Sequence, residues 1–559
     1  MKVFTKLSSI LLCLFVTYGI SQGQTFNETQ GTNSGTSLTT GDYNVLYGDS
    51  TGARLNTGSG HVMIGTAAGS KMTTQGTSEA PNFLAPSPYN KPNVFIGHAA
   101  GYNSTGLDNV FIGSYSGYST TTGWDNVFIG AMAGSRNTTG GDNVFIGFRA
   151  GYDATDSRRC VVIGQEAGAE LTTGDENTLV GNTAGRNLTT GRQNACFGND
   201  AGYDMSTGYY NTCLGDSAGI DMSISIGNTM VGHASGAATE WTSYNTMVGH
   251  NAGWDNNRTN NNNGFNATGN TYQGAYAGFS NRDGAYNLVM GAFADFEVTG
   301  SSGLNVIATQ NVYNVALGAY SEVGAGASRS VSVGPWARSA ANQTVAIGDS
   351  ARSTGAKSVV IGSRSIATGT NSIAIGADLS VAASNKVVVG NSLVTSIGGV
   401  VNWTATSDQR FKSNVEENVI GLEFIKNLRP VTYNMDPQAI ENHFGREIPE
   451  ELKASAAEKA KVRYTGFLAQ EVEWAADASG YEFSGIDTPS EGNDAYGIRY
   501  AEFVVPLVKA IQEQQEIIEG QTQEIQAYQT ALEHLTNKVN QMEVQLMEVA
   551  PIQQVSYSK

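Results

Sequence analysis

The chain has 559 residues, with 32 Lys and Arg against 50 Asp and Glu and a formal net charge of −18. Only 15% of residues are charged and 68 are glycine, a mix that speaks against one compact domain and for several. So acidic a chain disfavours nucleic-acid binding, which needs clustered Lys and Arg against phosphate. The charge is also unevenly spread. Residues 401–559 hold 13 of the 32 basic and 25 of the 50 acidic side chains, so two kinds of protein join near residue 400.

The N-terminus reads as a signal peptide, residues 1–23. Lys2 and Lys6 precede the apolar run Ile10 to Val16, and Ser21-Gln22-Gly23 supplies small residues for a signal peptidase. The run is too short to span a bilayer, and no later stretch could do so as a helix. A secreted or cell-surface protein is expected, with residues 24–40 as a linker. Cys160, Cys196 and Cys213 remain after processing, too odd and sparse a set for a disulfide framework.

Internal repetition dominates residues 41–398. Asn-Val-Phe-Ile-Gly recurs with its glycine at 97, 113, 130 and 147, and weaker copies continue at a 17-residue step to Gly249. Earlier copies end at Gly48 and Gly65, later ones at Gly274 and Gly291. After Gly334 the step becomes 14, at Gly348, Gly362, Gly376 and Gly390. We count 20 copies. A fixed short period with no room for a helix predicts a parallel β-roll or β-solenoid shaft, in 17-residue coils over 41–300 and 14-residue coils over 301–398. Each coil is a short strand ended by glycine, and a second glycine four residues on (Gly117, Gly134, Gly151) suits a corner with positive φ or close approach. The Asn before the strand (Asn109, Asn126, Asn143, Asn177, Asn194, Asn211) should stack into an amide ladder.

Alternation puts Val110 and Ile112 on one face of the strand and Phe111 on the other. Taking Val and Ile as the buried face leaves Phe111, Phe128, Phe145, Leu179, Met230 and Met247 as an outer apolar stripe that self-association must cover. In the 14-residue block that position is Ala346, Val360 and Ala374, where packing should be tighter. Cys196 and Cys213 share one phase on successive coils, as do His233 and His250 just after the strand glycine. The inserts Ala80–Pro92 and Asp255–Asn263 break the period and should protrude.

The 14-residue units resemble the left-handed β-roll head of YadA-like trimeric adhesins over residues 315–392, and the 17-residue block a looser relative. The membrane-barrel segment that ends such adhesins has no counterpart here. From Val504 a heptad is readable instead: Val504, Ile511, Ile518, Ile525, Leu532, Val539 and Leu546 at one core position, Leu507, Gln514, Gln521, Tyr528, Leu535 and Met542 at the other. This predicts a coiled-coil helix over 504–547, followed by a polar tail, 548–559.

After a linker at 399–406 comes an α+β stretch, 407–503. Its first string is Ser407-Asp408-Gln409-Arg410-Phe411-Lys412-Ser413-Asn414, opening directly after Thr406. Leu428–Tyr433, Gly466–Glu473, and Tyr500 with Pro506–Glu513 come next in order. This ordered set resembles the intramolecular chaperone domain at the C-terminus of phage endosialidase tail spikes, a self-cleaving serine peptidase family. The resemblance implies Ser407 as nucleophile, Lys412 as general base, and cleavage of the Thr406–Ser407 bond. A serine hydroxyl is inert until a base takes its proton, and a lysine serves once desolvation favours its free amine. A turn should separate the two, since five residues suit neither one face of a strand nor one of a helix.

The whole reads as a homotrimeric, mainly β, tail-fibre-like or adhesin-like protein. Its C-terminal domain is expected to align three chains and cut itself once, in cis; the alternative is a structural adhesin in which that domain only trimerises. The expected partners are further copies of the chain and, for the shaft, a host or surface glycan or protein. No cofactor, metal or nucleic acid is expected.

Overall fold

The computed structural model describes residues 26–73, 91–256, 267–282, 284–296, 311–489 and 494–549. The signal peptide and nearly all of both inserts and of the polar tail lie outside them. The chain divides into two units, residues 1–391 and 392–559.

The first unit is a parallel β-solenoid. Twenty-one three-residue strands, one per coil, form a single sheet in which each strand pairs in register with its counterpart one coil on, as Val110↔Val127, Phe111↔Phe128 and Ile112↔Ile129. The additional coil is the first. Glu28–Gln30 pairs with Val45–Tyr47, so the solenoid begins inside the segment expected to be a linker. Its strand, Glu-Thr-Gln, carries no apolar residue that a repeat search could find.

The strand faces are the reverse of the expectation. Phe111, Phe128, Phe145, Leu179, Met230 and Met247 are fully buried, while Val110 and Ile112 are only partly covered. The middle residue of each strand points into the lumen of its own coil. The phenylalanines stack there with ring centroids 5.0, 4.8 and 4.8 Å apart from Phe95 to Phe145. Gly117 stands across the lumen at φ +58°, where a Cβ would lie 2.5 Å from the Phe111 ring. Bulk on one wall matches absence of a side chain on the other, which alternation along a single strand does not reveal. The apolar stripe on the outside is therefore the Val/Ile one. It includes Ile64, Ile347, Ile361 and Ile375, all exposed.

In the 17-residue coils the opposite wall is a stack of turns tied by single backbone bonds, Gly117 N–H to Ala133 O and Ser119 N–H to Ser135 O, both 2.9 Å. From Asp295–Phe296 onward that wall becomes a second parallel sheet of six two-residue strands. Two flat walls leave a thin lumen, which Ala346, Ala374 and Ser332 fill without exposure. The strand-ending glycine is obligatory in both blocks. Gly113 has φ +135°, and a Cβ on it would lie 2.5 Å from the Gly130 backbone.

The asparagines do form a ladder. Asn126 Oδ1 accepts both the backbone and side-chain N–H of Asn143, each at 3.1 Å, and Asn143 Nδ2 donates to Ser157 O at 2.7 Å. A buried backbone N–H before each strand needs an acceptor, and the previous coil's amide supplies it. Two of the 17-residue coils depart from asparagine. Cys160 donates its N–H to Asn143 Oδ1 at 3.0 Å and points its thiol at Gly174 O, and burial pushes that thiol up to about 11. His61 donates its N–H to Asn44 Oδ1 at 2.9 Å and accepts the Asn93 N–H on Nδ1 at 3.0 Å. Cys196 and Cys213 are register partners, buried and free. His233 and His250 stack at 5.0 Å on the surface.

The second unit is α+β. Helix Leu422–Asn427, the antiparallel pair Val431–Asn434 and Arg463–Gly466, helix Ala469–Ser479 and the 46-residue helix Val504–Val549 are its main elements. Its core is Phe424, Val472, Ala475, Ala476 and Phe503. Among the described residues no helix is long and apolar enough to cross a membrane.

Placing Asp at position 128 buries a carboxylate among aromatic rings. Phe128→Asp should cost the shaft about 4 kcal/mol or more and open the coils around it, seen as new protease cleavage between residues 95 and 160. A shaft as resistant as wild type would contradict the inward placement.

His61 accepts on Nδ1, so protonation there would set two donors face to face. Burial lowers its pKa to about 4, whereas an unfolded histidine titrates near 6.5. Between these values the unfolded chain binds more protons, so stability is full above about pH 6.5 and falls, by up to about 3 kcal/mol, as pH drops to about 4. His61→Asn keeps the amide ladder and should move the acid-unfolding midpoint of the shaft to lower pH. An unchanged midpoint would remove His61 as its cause.

Candidate active site

The segment that opens the second unit has no regular secondary structure up to Ser407 and then tightens into a 3₁₀ turn, Gln409–Phe411. The sequence explains the turn. Asp408 caps it, its Oδ1 accepting the Arg410 backbone N–H at 2.9 Å, an interaction at which Asp excels. Arg410 folds back to bind both oxygens of the same carboxylate, with Nη2 to Oδ2 at 2.7 Å and Nε to Oδ1 at 3.1 Å. The guanidinium holds the Asp408 carboxyl below its ordinary range. The Lys412 N–H closes the turn on Gln409 O at 3.1 Å.

This turn brings the two ends of the motif together. Lys412 Nζ lies 2.8 Å from Ser407 Oγ. The turn expected between the two residues is present, and Asp408 and Arg410 are the pair that shapes it. Thr406, Ser407 and Lys412 are all exposed. An ammonium this close to a hydroxyl is a donor. As a base, the same nitrogen must first lose its proton, and exclusion of water is what favours the free amine.

The other three strings pair with one another and with the short helix in the same unit. Arg429, from the second, pairs with Glu471, from the third, with Nε to Oε2 at 3.0 Å. Tyr500, from the fourth, accepts the Phe467 N–H on its hydroxyl at 3.1 Å, and Phe467 stacks on Phe503 with centroids 5.4 Å apart. Glu513, also from the fourth, reaches from the long helix to accept the Leu422 N–H at 2.7 Å. That bond satisfies a free N–H at the start of the short helix with a carboxylate, the charge its dipole favours. The strings thus mark structural joints, a role that spacing alone did not assign to Arg429, Glu471, Tyr500 or Glu513.

Residues 407–481 match the family model described as chaperone of endosialidase, a peptidase family. The match opens on Ser407 and takes in the first three strings; the shaft and the long helix lie outside it. No curated protein matches the chain. Residues 407–481 of the C-terminal unit are therefore similar to a chaperone-type domain of a peptidase family, in a chain that also carries a β-solenoid shaft.

Glu513→Ala removes the acceptor that joins the short helix to the long one. It should cost this joint about 1–2 kcal/mol, read as faster amide hydrogen exchange over residues 421–428, with Glu513→Gln intermediate. Unaltered exchange in the alanine variant would show that the joint does not depend on the carboxylate.

Proposed function

We propose that this chain is an exported, homotrimeric fibre whose C-terminal domain sets the register of three shafts and then severs the Thr406–Ser407 bond. The observation that carries the cleavage is the 2.8 Å approach of Lys412 Nζ to Ser407 Oγ at the first residue of the matched segment.

The position of the bond dictates the chemistry. Ser407 lies on the C-terminal side of the scissile peptide, so its oxygen attacks the carbonyl carbon immediately before it. Lys412 as free amine takes the hydroxyl proton, Oγ bonds to the Thr406 carbonyl carbon, and the C–N bond breaks as the proton passes to the Ser407 nitrogen. The resulting ester is hydrolysed by water, leaving a Thr406 carboxylate, a Ser407 amine and the regenerated hydroxyl. One turnover consumes the substrate. A lysine acts as a base only as the free amine, which exclusion of water favours, so covering of the dyad by neighbouring chains would couple the cut to assembly.

Two surfaces support trimerisation. The half-covered Val/Ile stripe runs along the shaft strands, as at Val127, Ile129, Val345 and Ile347, and is an aggregation liability unless like chains cover it. The long helix exposes its heptad side chains, Ile525, Tyr528, Leu532 and Leu535 among them, in the pattern of a coiled-coil seam. The 14-residue coils fit a YadA-like head in this reading. A fibre that assembles without cutting is the second reading, favoured by the full exposure of the dyad.

Cleavage should yield a fragment of residues 407–559 beginning Ser-Asp-Gln-Arg. Ser407→Ala should abolish it and leave the oligomer intact. Lys412→Arg should also block it, because a guanidinium does not give up its proton at neutral pH. N-terminal sequencing decides: a start other than Ser407, or normal cleavage in Lys412→Arg, overturns the dyad, and a single uncut band in wild type establishes the second reading.

A further inference from the structure

Each coil but the last carries a left-handed residue two positions after its strand glycine. In the 14-residue block these are Tyr320, Trp336, Ser350, Arg364 and Asp378, with φ between +56° and +58°. The same backbone bond fixes the corner in every coil, as in Ser350 N–H to Pro335 O and Arg364 N–H to Asp349 O, both 2.8 Å. Five side chains therefore leave one surface line in parallel, one coil apart, or about 4.8 Å.

They do not stack evenly. Upstream is an aromatic column: Tyr276, Phe293 and Tyr320 at 5.0 and 5.1 Å, closed by Trp336, which lies 4.2 Å from Tyr320 with planes 2° apart. The separation is shorter than the coil spacing, so the indole leans upstream. Downstream, Arg364 grips Asp378 with Nε to Oδ1 at 2.7 Å and Nη2 to Oδ2 at 3.1 Å, so the guanidinium leans the other way. Ser350, the smallest side chain of the five, stands between them. The result is a slot with the outer indole face as one wall, the guanidinium as the other, the Ser350 hydroxyl as floor, and at the side the Asp349 carboxylate, whose Oδ1 lies 3.5 Å from that hydroxyl. Trp336 is 58% exposed, and among the described residues its ring stacks on Tyr320 alone.

We propose that this slot binds one pyranose unit of a neutral glycan. Two coil spacings, widened by the outward lean of both side chains, set the walls about 10 Å or a little more apart. A flat aromatic ring between two walls needs roughly 7 Å at ordinary contact distances and would rattle. A puckered, hydroxylated ring fills the gap: its C–H face covers the indole, and its hydroxyls reach an acceptor at Asp349, a donor at Arg364 and either at Ser350. Charge disfavours an acidic ligand: Arg364 is already paired with Asp378, and an anion would meet the Asp349 carboxylate, which a neutral polyol can use as an acceptor.

The test is native affinity electrophoresis of the full chain in gels containing hydroxyethyl cellulose, glucomannan, galactan, dextran or soluble starch, with alginate as the acidic comparison. Wild type should be retarded by at least one neutral polymer. Trp336→Ala, which removes only an external side chain, should weaken retardation at least tenfold. So should Ser350→Trp, which extends the column into the slot at a corner where Trp336 already shows that the backbone accepts indole. No retardation by any of the five neutral polymers, retardation by alginate alone, or binding unaltered in either variant would overturn the proposal. Ser407→Ala protein should bind like wild type, so the outcome does not depend on the cleavage reading.

Discussion

Registration between coils governs this molecule. Each coil's backbone donors and acceptors before and within the strand are satisfied by the coils on either side, and the amide at Asn109, Asn126 or Asn143 extends the same logic to a side chain. A buried N–H left without a partner costs more than a hydrogen bond between well-solvated groups gains, so a coil cannot slip by one residue without orphaning the whole set. Register then dictates the rest. The phenylalanines stack because the backbone does, the strand glycines are needed because stacked corners touch, and surface side chains line up into columns whose chemistry changes only when the sequence at that phase changes.

In the proposed function, the same constraint explains why an alignment device would serve such a shaft. Near-identical coils offer many shifted pairings of nearly equal energy, and parallel pairing between coils is non-local and slow to form. Three chains meeting along a long repetitive stripe, as proposed, would multiply that ambiguity. A helix whose heptad is not periodic in the shaft's 17 or 14 residues, built into a domain with its own core at Phe424, Val472 and Phe503, has only one register. In the proposed mechanism its work is finished once the shafts have set, so a bond cut by a residue that it carries itself removes a device no longer needed.

The solenoid was legible in the sequence because its constraint is periodic: glycine and asparagine at fixed phase announce a corner and a ladder. The direction of the strand was not. Val110-Phe111-Ile112 alternates equally well either way, and two apolar side chains against one suggested the wrong interior. The answer lay in the pairing of Phe111 with Gly117, a complementarity across the lumen that only the closed coil expresses. Glu28–Gln30 escaped because hydrogen-bond register, and not hydrophobicity, makes it a coil. At the candidate site, the five-residue gap between Ser407 and Lys412 implied a turn, and Asp408 with Arg410 supplies it. The roles of Glu513 and Tyr500 were hidden because each acts on an element far away in sequence.

The change of wall between the two blocks has a mechanical consequence. Force applied along a stack of coils does not shear a sheet; it peels one coil at a time from the end, breaking that coil's few bonds before the next is loaded. A released 17-residue coil frees roughly 58 Å of chain and a 14-residue coil roughly 48 Å. The shorter coils are held by two sheets and the longer by one sheet and a stack of turns, so under tension the long coils should yield first. The N-terminal block would then act as an extensible tether that dissipates load, and the two-walled block beside residue 390 as the stiff segment that keeps its shape.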